Sequence, residues 1–487
     1  MRPRSDRWVL GGLTGAVVLS RWLLRAQVAD DYDSFGFLLG ISQKYDLARF
    51  QPQFPGYPVY VALGAALHRL GLSALPAAEA ISAVASGVGG AGLAICARSL
   101  AGARAGITVL ALHLVAWLPW LLGGGALSEP LGMAFAIAAF ALLALEVPRF
   151  GASGLCAGLL LGTRASYWPL VVSLFALALV MPLPGLASGP TSGPARGPSR
   201  YRVFLGAASG VLVWAVPFLA VVGVRNVIEL GTTHVSGHFN QWGGTVVTRP
   251  DLLERLHAFA RGLCFDGVAP SPWALAGGAL AVAAAWLVRR RQKALGDPFD
   301  VRPVLVALVP YGLWAFLAQN IVEQPRHLLP LVEGELLLLG CFLAPHRLLA
   351  TALCLIMACA SAPLAYERHR VPPAAAQAAA WVMQHERPER TFIAAGRSSR
   401  FFEALAEPFP VRQHVMLGDV IGSLVRSDRL PEVILVTSEI DLHSGRGPGS
   451  PLPNHWGIEP GPSFCRDARI DRAQPCLGLS RLVWSFR

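Results

Sequence analysis

The chain has 487 residues, 54% of them hydrophobic and only 15% charged, with a formal net charge of +11. A soluble domain of ordinary composition carries about 25% charged residues, so a purely soluble protein is excluded and a polytopic membrane body with room for one soluble domain is expected. The positive charge does not point to nucleic acid. The arginines gather at segment ends (Arg2, Arg4, Arg7; Arg289, Arg290, Arg291), as cytoplasmic flanks do, and aromatic residues interleaved with basic ones on a polar surface are missing.

In chain order, the first apolar run covers 8–24, slightly short of the ~20 residues a crossing helix needs. A basic stretch precedes it and no small-residue cleavage site follows, so an uncleaved first helix is expected. Arg21 and Arg25 at its far end either snorkel to the interface or grip an anionic lipid head from beside the next loop. That loop holds Asp30, Asp31 and Asp33. Carboxylates at the mouth of a membrane are costly unless they meet solvent, a cation or a substrate. Residues 35–47 fit a short amphipathic helix on the membrane surface. Pro52, Pro55, Gly56 and Pro58 then lead into the second span, which begins near Tyr57 and ends at His68-Arg69.

Further apolar segments cover 76–97, 105–123 and 127–145. A long apolar run over 151–181 is interrupted at Thr163-Arg164-Ala165-Ser166, where the arginine marks a hinge between half-spans or a buried charge with a partner. Residues 182–202 read as a flexible basic linker. A span over 203–224 leads to a long loop, 225–271, containing TTHVSGHFNQWGGT and a helix-like piece at 251–261. The span 273–288 ends in RRRQK, the strongest cytoplasmic marker. Spans over 303–320 and 328–344, joined by IVEQPRH, and a last one over 348–364 complete the body. The count is about eleven, with the N-terminus inside and the acidic loop, the 225–271 loop, the EQPRH turn and the tail outside.

From residue 366 onward helix-like and strand-like patterns alternate (AAAQAAAWVMQH, TFIAA, SSRFFEALAE, VRQHVML, GDVIGSLVRS, VILVTSE), so a small α/β domain is expected over 366–487, outside the membrane body of 1–365. The AGRSSR turn after TFIAA lacks a G-x-G-x-x-G pattern and reads as a structural cap rather than a phosphate loop. Cys96, Cys156, Cys341, Cys354 and Cys359 lie in apolar runs as packing thiols. Cys264 sits in a loop. Cys465 and Cys476, in the polar tail with no histidine between them, read as a disulfide in an oxidising compartment. No spacing fits a zinc site.

Three polar sets fall on the outer face in this arrangement: Asp30, Asp31 and Asp33; His234, His238 and Asn240; and Glu323, Arg326 and His327. Paired carboxylates can take a proton from an acceptor hydroxyl or hold a divalent cation, and an arginine fork can clamp a phosphate. His234 and His238 fall amid Gly and Thr in a loop, so a shared helix face is not expected. Glu129, in ALSEP, either opens a helix beside Pro130 or takes part in the chemistry.

The order Asp30-Asp31, FPGYPVYVALGAAL, LSEPLGMAF, GLLLGTRASYWPL, QPRHLLPLV resembles the C-superfamily (GT-C) membrane glycosyltransferases, the group of the dolichyl-phosphate-mannose–protein mannosyltransferases and their bacterial relatives. The resemblance spans about residues 8–345. It implies an all-α polytopic body of GT-C type, in which Asp30 and Asp31 activate the acceptor or bind a cation. Arg326 and Pro330 match an arginine-aromatic-x-x-proline pattern, with His327 where an aromatic residue is usual. Asp-Asp stands where Asp-Glu is common, and QFPGYP where HPPGYP is usual.

Residues and resemblance together give an integral-membrane glycosyltransferase of the cell (inner) membrane. It would transfer a sugar from a polyprenyl-phosphate-linked donor to an extracytoplasmic acceptor. Asp30 and Asp31 are the expected catalytic residues. Arg326, Arg164, Arg21, Tyr57, Glu129 and His327 are expected to bind substrate. The competing reading is a polytopic transporter or lipid-handling membrane protein without transferase chemistry. It calls for paired charges along a path and an internal repeat, and no repeat is evident.

Overall fold

The structure, a computed structural model, describes residues 3–180, 200–291, 299–414, 431–440 and 456–484. Most of the basic linker, the end of RRRQK, and the VML and GDVIGSLVRS stretches of the tail lie outside the described residues. The chain divides into two compact units: Met1–Arg25 with Gly36–Glu367, and Ala26–Phe35 with Arg368–Arg487.

The first unit is helical. Ala74–Ala101, Arg202–Val222 and Arg347–His385, the last of which runs on past Glu367 into the second unit, are long and apolar enough to cross a membrane. Two bent pairs raise the number to five: Ala103–Val115 with Trp117–Gly123, at 64°, and Leu252–Val268 with Pro272–Val288, at 90°. Glu129–Leu143, Phe150–Thr163, Ala165–Val180 and Arg302–Ala318 are apolar but shorter. Length and composition therefore support three to five crossings among the described residues, below the expected eleven or so. The reason is local: several apolar runs are broken. At Arg164 the backbone turns extended (φ −153°, ψ 90°), splitting one run into Phe150–Thr163 and Trp168–Val180. The outer faces expose large apolar residues, such as Leu205, Leu212, Val213 and Val216 on one helix, as a lipid-facing surface must. This is the body of a multi-pass membrane protein.

Between helices Phe150–Thr163 and Arg202–Val222 the packing is backbone on backbone. A Cβ on Gly154 or Gly158 would run into the main chain of Val203 or Ala207, and one on Gly206 or Gly210 into that of Gly151 or Leu155. Small residues four apart let helices approach this closely where lipid supplies no hydrophobic drive.

The segment expected as a loop over 225–271 is largely helical: Val224–Gly237 continues as a π-helix, His238–Trp242, and Leu252–Leu263 follows. Its glycines fit because of what they meet. A Cβ at Gly231 would press on the Phe54 ring and one at Gly237 on Trp242, so tertiary packing overrides local propensity. Fully buried Arg255 ties this region to the end of helix Arg302–Ala318, donating from Nε to Phe316 O (3.0 Å) and from Nη2 to Gln319 O (3.0 Å).

The second unit carries a sheet of order β2-β1-β3-β5-β4, with β1 Thr391–Ala395, β2 Val411–Gln413, β3 Val433–Thr437, β4 Trp456–Cys465 and β5 Cys476–Trp484. β1 runs parallel to β2 and β3, while β5 is antiparallel to β3 and β4. Cys465 and Cys476 are register partners on β4 and β5 and form a disulfide. The AGRSSR turn after β1 is closed by Glu439, whose carboxylate accepts the N–H groups of Gly396 (3.1 Å) and Ser398 (3.0 Å) and the Ser398 hydroxyl. That turn is capped by Glu439, which takes the Gly396 and Ser398 N–H groups.

Candidate functional site

Within the first unit three helix ends bring charge together. Glu129 opens helix Glu129–Leu143, Arg164 follows the last residue of Phe150–Thr163, and Arg326 sits in the 3₁₀ turn Pro325–Leu328 ahead of Leu329–Leu343. Both guanidiniums reach one carboxylate oxygen, Glu129 Oε1: Arg164 Nη2 at 3.0 Å and Arg326 Nε at 3.2 Å. Glu129 is 0% exposed, Arg164 4% and Arg326 8%. Arg164 also donates to Ser128 Oγ (3.2 Å) and to His327 Nδ1 (3.3 Å). Its guanidinium carbon lies 6.0 Å from the Tyr57 ring centroid and 5.8 Å from that of Tyr167, the range of a cation–π contact. Gly132 makes the approach possible, since a Cβ there would meet Arg164 Cβ at 3.1 Å.

Aromatic groups wall this site. Tyr167 and Tyr311 are fully buried and pack edge to face, and Tyr311 donates its hydroxyl proton to His327 O (2.7 Å). The Tyr167 hydroxyl has no hydrogen-bond partner among the described residues, which is expensive for a buried polar group. Tyr57 caps helix Pro58–Arg69 with a left-handed backbone (φ 49°, ψ 47°). A bulky residue there is strained, and such strain gathers at functional sites. Of the expected substrate-binding residues, Glu129, Arg164, Arg326, His327 and Tyr57 thus come together.

Arg21 does not join them. It is fully buried and donates to the carbonyls of Leu114 (2.7 Å) and His113 (2.9 Å), with its guanidinium over Trp120. Neither snorkelling nor a lipid-head grip describes it. It pins the bend between Ala103–Val115 and Trp117–Gly123. Arg25 pairs with buried Glu79 at 3.3 Å. Glu323 is held by Arg249 (3.0 Å) and Asn320 (3.0 Å). His234 and His238, on one continuous helical stretch, both flank Trp242, and His238 Nε2 lies 2.9 Å from Ala318 O. Among the described residues no His, Cys, Asp and Glu side chains gather as a metal site.

A second buried group escaped the sequence reading. His113 Nδ1 lies 3.0 Å from Glu333 Oε2, and its Nε2 lies 3.0 Å from Ser86 O. Its members sit singly in apolar runs, and a lone polar residue in such a run carries no sign of its partner.

The acidic segment belongs to the second unit. Asp30 Oδ2 accepts from Arg368 Nε at 2.7 Å. Burial pushes the Asp30 carboxyl up, but Arg368 and Arg466 outweigh it and hold the group below its usual range. Asp31 starts helix Tyr32–Ser42, its Oδ1 accepting the Asp33 N–H (2.9 Å). Asp471 stands in the same electrostatic neighbourhood. Burial raises its carboxyl to about 7, with Asp30 and Asp31 adding to the rise and Arg466 opposing it. Arg368, Arg466 and Asp471 were not singled out from sequence. The available signal was Arg368 itself, a basic residue just past the last apolar run.

No protein-family model matches the chain, and no curated protein matches its sequence. Solved structures do match. ArnT from Cupriavidus metallidurans bound to undecaprenyl phosphate is similar with a TM-score of 0.52 at 13% identity, over 88% of this chain and 93% of that one. The archaeal oligosaccharyltransferase AglB from Archaeoglobus fulgidus, in complex with an inhibitory peptide and a dolichol-phosphate, gives 0.45 at 10% identity, over 89% and 70%. The ArnT likeness extends over most of both chains, and this chain has a GT-C-like fold similar to that of ArnT.

Proposed function

We propose that the chain is an integral-membrane glycosyltransferase that moves a sugar from a polyprenyl-phosphate-linked donor to an acceptor hydroxyl on the extracytoplasmic side of the cell (inner) membrane. The observation that carries this reading is the buried Arg164–Glu129–Arg326 group. Two guanidiniums converge on one carboxylate oxygen, and a pair of such planar forks in apolar surroundings suits the oxygens of a phosphate. The Tyr167 hydroxyl, without a hydrogen-bond partner among the described residues, is a further donor for such an anionic ligand. ArnT bound to undecaprenyl phosphate supports a polyprenyl phosphate as that ligand.

In the transfer the acceptor oxygen bonds to the anomeric carbon as the bond from that carbon to the phosphate oxygen breaks. The electron pair leaves with the polyprenyl phosphate, and the acceptor proton passes to a carboxylate. Asp31 and Asp30 are assigned the carboxylate roles, Arg164 and Arg326 the neutralisation of the phosphate. Preorganised charge facing a leaving oxyanion commonly lowers a barrier by about 3–4 kcal/mol. Arg21 serves the backbone and is left out.

The test is to supply reconstituted protein with radiolabelled polyprenyl-phosphate sugars and a panel of acceptors. Label should leave the carrier, and Arg326→Gln should raise the donor KM about 10-fold or more, the cost of a charged hydrogen bond. Label that crosses the bilayer still attached to its carrier would favour a transporter.

A further inference from the structure

We infer that Arg368 is a positioning residue for the transfer, acting through Asp30, whose carboxylate it holds, and thereby fixing the turn that carries Asp31. The inference rests on the transferase reading above and names how its acidic residues are kept in place.

The segment Ala26–Phe35 is tied to the C-terminal part of its own unit at several points. Arg368 is 3% exposed and donates to Asp30 at 2.7 Å. Buried Arg466, next to the disulfide-bonded Cys465, donates from Nη2 to the Arg368 carbonyl at 3.2 Å. Arg400 lies over the Tyr32 ring, 5.3 Å from its centroid, and donates to the Tyr32 hydroxyl at 3.3 Å. Phe35 packs edge-on against Phe401 with centroids 4.8 Å apart, and Gln27 Nε2 lies 3.0 Å from His369 Nδ1. Asp30 is therefore clamped, and the peptide unit joining it to Asp31 leaves Asp31 little freedom. A carboxylate held this firmly by arginine is a weak base, so Asp30 sets geometry and charge while Asp31 meets the acceptor proton.

An ion pair that only stabilised the fold would not move a pH profile, which makes that profile the readout. With full-length protein in proteoliposomes, Arg368→Gln should lower kcat about 10–100-fold while the donor KM stays within about twofold. The acid limb of kcat/KM should shift to higher pH, because the rise of the buried Asp30 carboxyl is then opposed by Arg466 without Arg368. Arg368→Lys should keep the wild-type limb. Asp30→Asn/Arg368→Gln should be no worse than Asp30→Asn alone, since one acts through the other. An unmoved limb in Arg368→Gln, or losses that add in full, would overturn the inference. Should Arg368→Gln not fold, Arg466→Gln removes the second charge acting on Asp30 and must move the limb the same way by less; an unmoved limb there overturns it equally. If the unaltered protein transfers no sugar, the transferase reading itself falls and takes the inference with it.

Discussion

Arg164 Nη2 and Glu129 Oε1 stand 3.0 Å apart with both side chains buried, although the two residues belong to different helices of an apolar bundle. In such surroundings the cost of desolvating the charges roughly cancels their attraction. The pair is therefore poorly explained as a stability device and better explained by what a fixed arginine can hold.

Glu129→Gln should be destabilising, since it leaves Arg164 and Arg326 as buried cations without their shared carboxylate. Removing one partner of a buried pair costs about 3–5 kcal/mol. Thermal unfolding of the purified protein should show a clearly lowered transition, and added polyprenyl phosphate should recover more of it than it adds to wild type. Equal gains in both would separate Glu129 from the anion site.

Gly158→Leu should prevent folding, because a side chain there enters the main chain of helix Arg202–Val222. Gly158→Ala should lower the unfolding temperature through the same contact. Gly12→Ala provides the control: nothing lies within 4 Å of a Cβ at Gly12, and its stability should match wild type or exceed it slightly. Indistinguishable transitions for Gly158→Ala and Gly12→Ala would mean that the two helices do not cross this closely.

Asp471 should make the stability of the protein fall as pH rises. Its folded-state carboxyl lies at about 7 against an ordinary 3.8, so between those values the folded state binds the proton more tightly than the unfolded state does. The contribution is fully present below about pH 3.8 and is lost as pH rises to about 7. Asp471→Asn stays uncharged throughout, so its advantage over wild type in unfolding temperature should widen from pH 5 to pH 8. Asp30 has the opposite sign: its depressed carboxyl contributes stability above the ordinary carboxylate range, lost as pH falls below it. A constant offset between Asp471→Asn and wild type across that window would remove Asp471 from the list of titrating groups.

Much of the helical body was legible because an apolar run in a membrane protein has few alternatives to a helix. The interruption at Arg164 was read as a hinge or a partnered charge, and the structure gives both at one residue. What the sequence could not supply was pairing. Glu129, Arg164 and Arg326 sit in three separate motifs, and nothing in any one of them says which partner it faces. The 225–271 stretch is expected as a loop, and what its glycines meet, the Phe54 ring from far along the chain and the Trp242 ring from within the stretch, are folded contacts that no local pattern shows. The glycines spaced four apart at 154 and 158, and at 206 and 210, were visible as a helix-packing signal and passed unused.

Placing Ala26–Phe35 with Arg368–Arg487 also fixes an order of events during synthesis. The segment is translated well before Arg368, Arg400, Phe401 and Arg466, which tie it down. Contacts of such long sequence separation form late. While the ribosome is still making the helical body, Asp30 has not yet met Arg368, so the nascent chain carries the segment without these contacts until the later residues emerge.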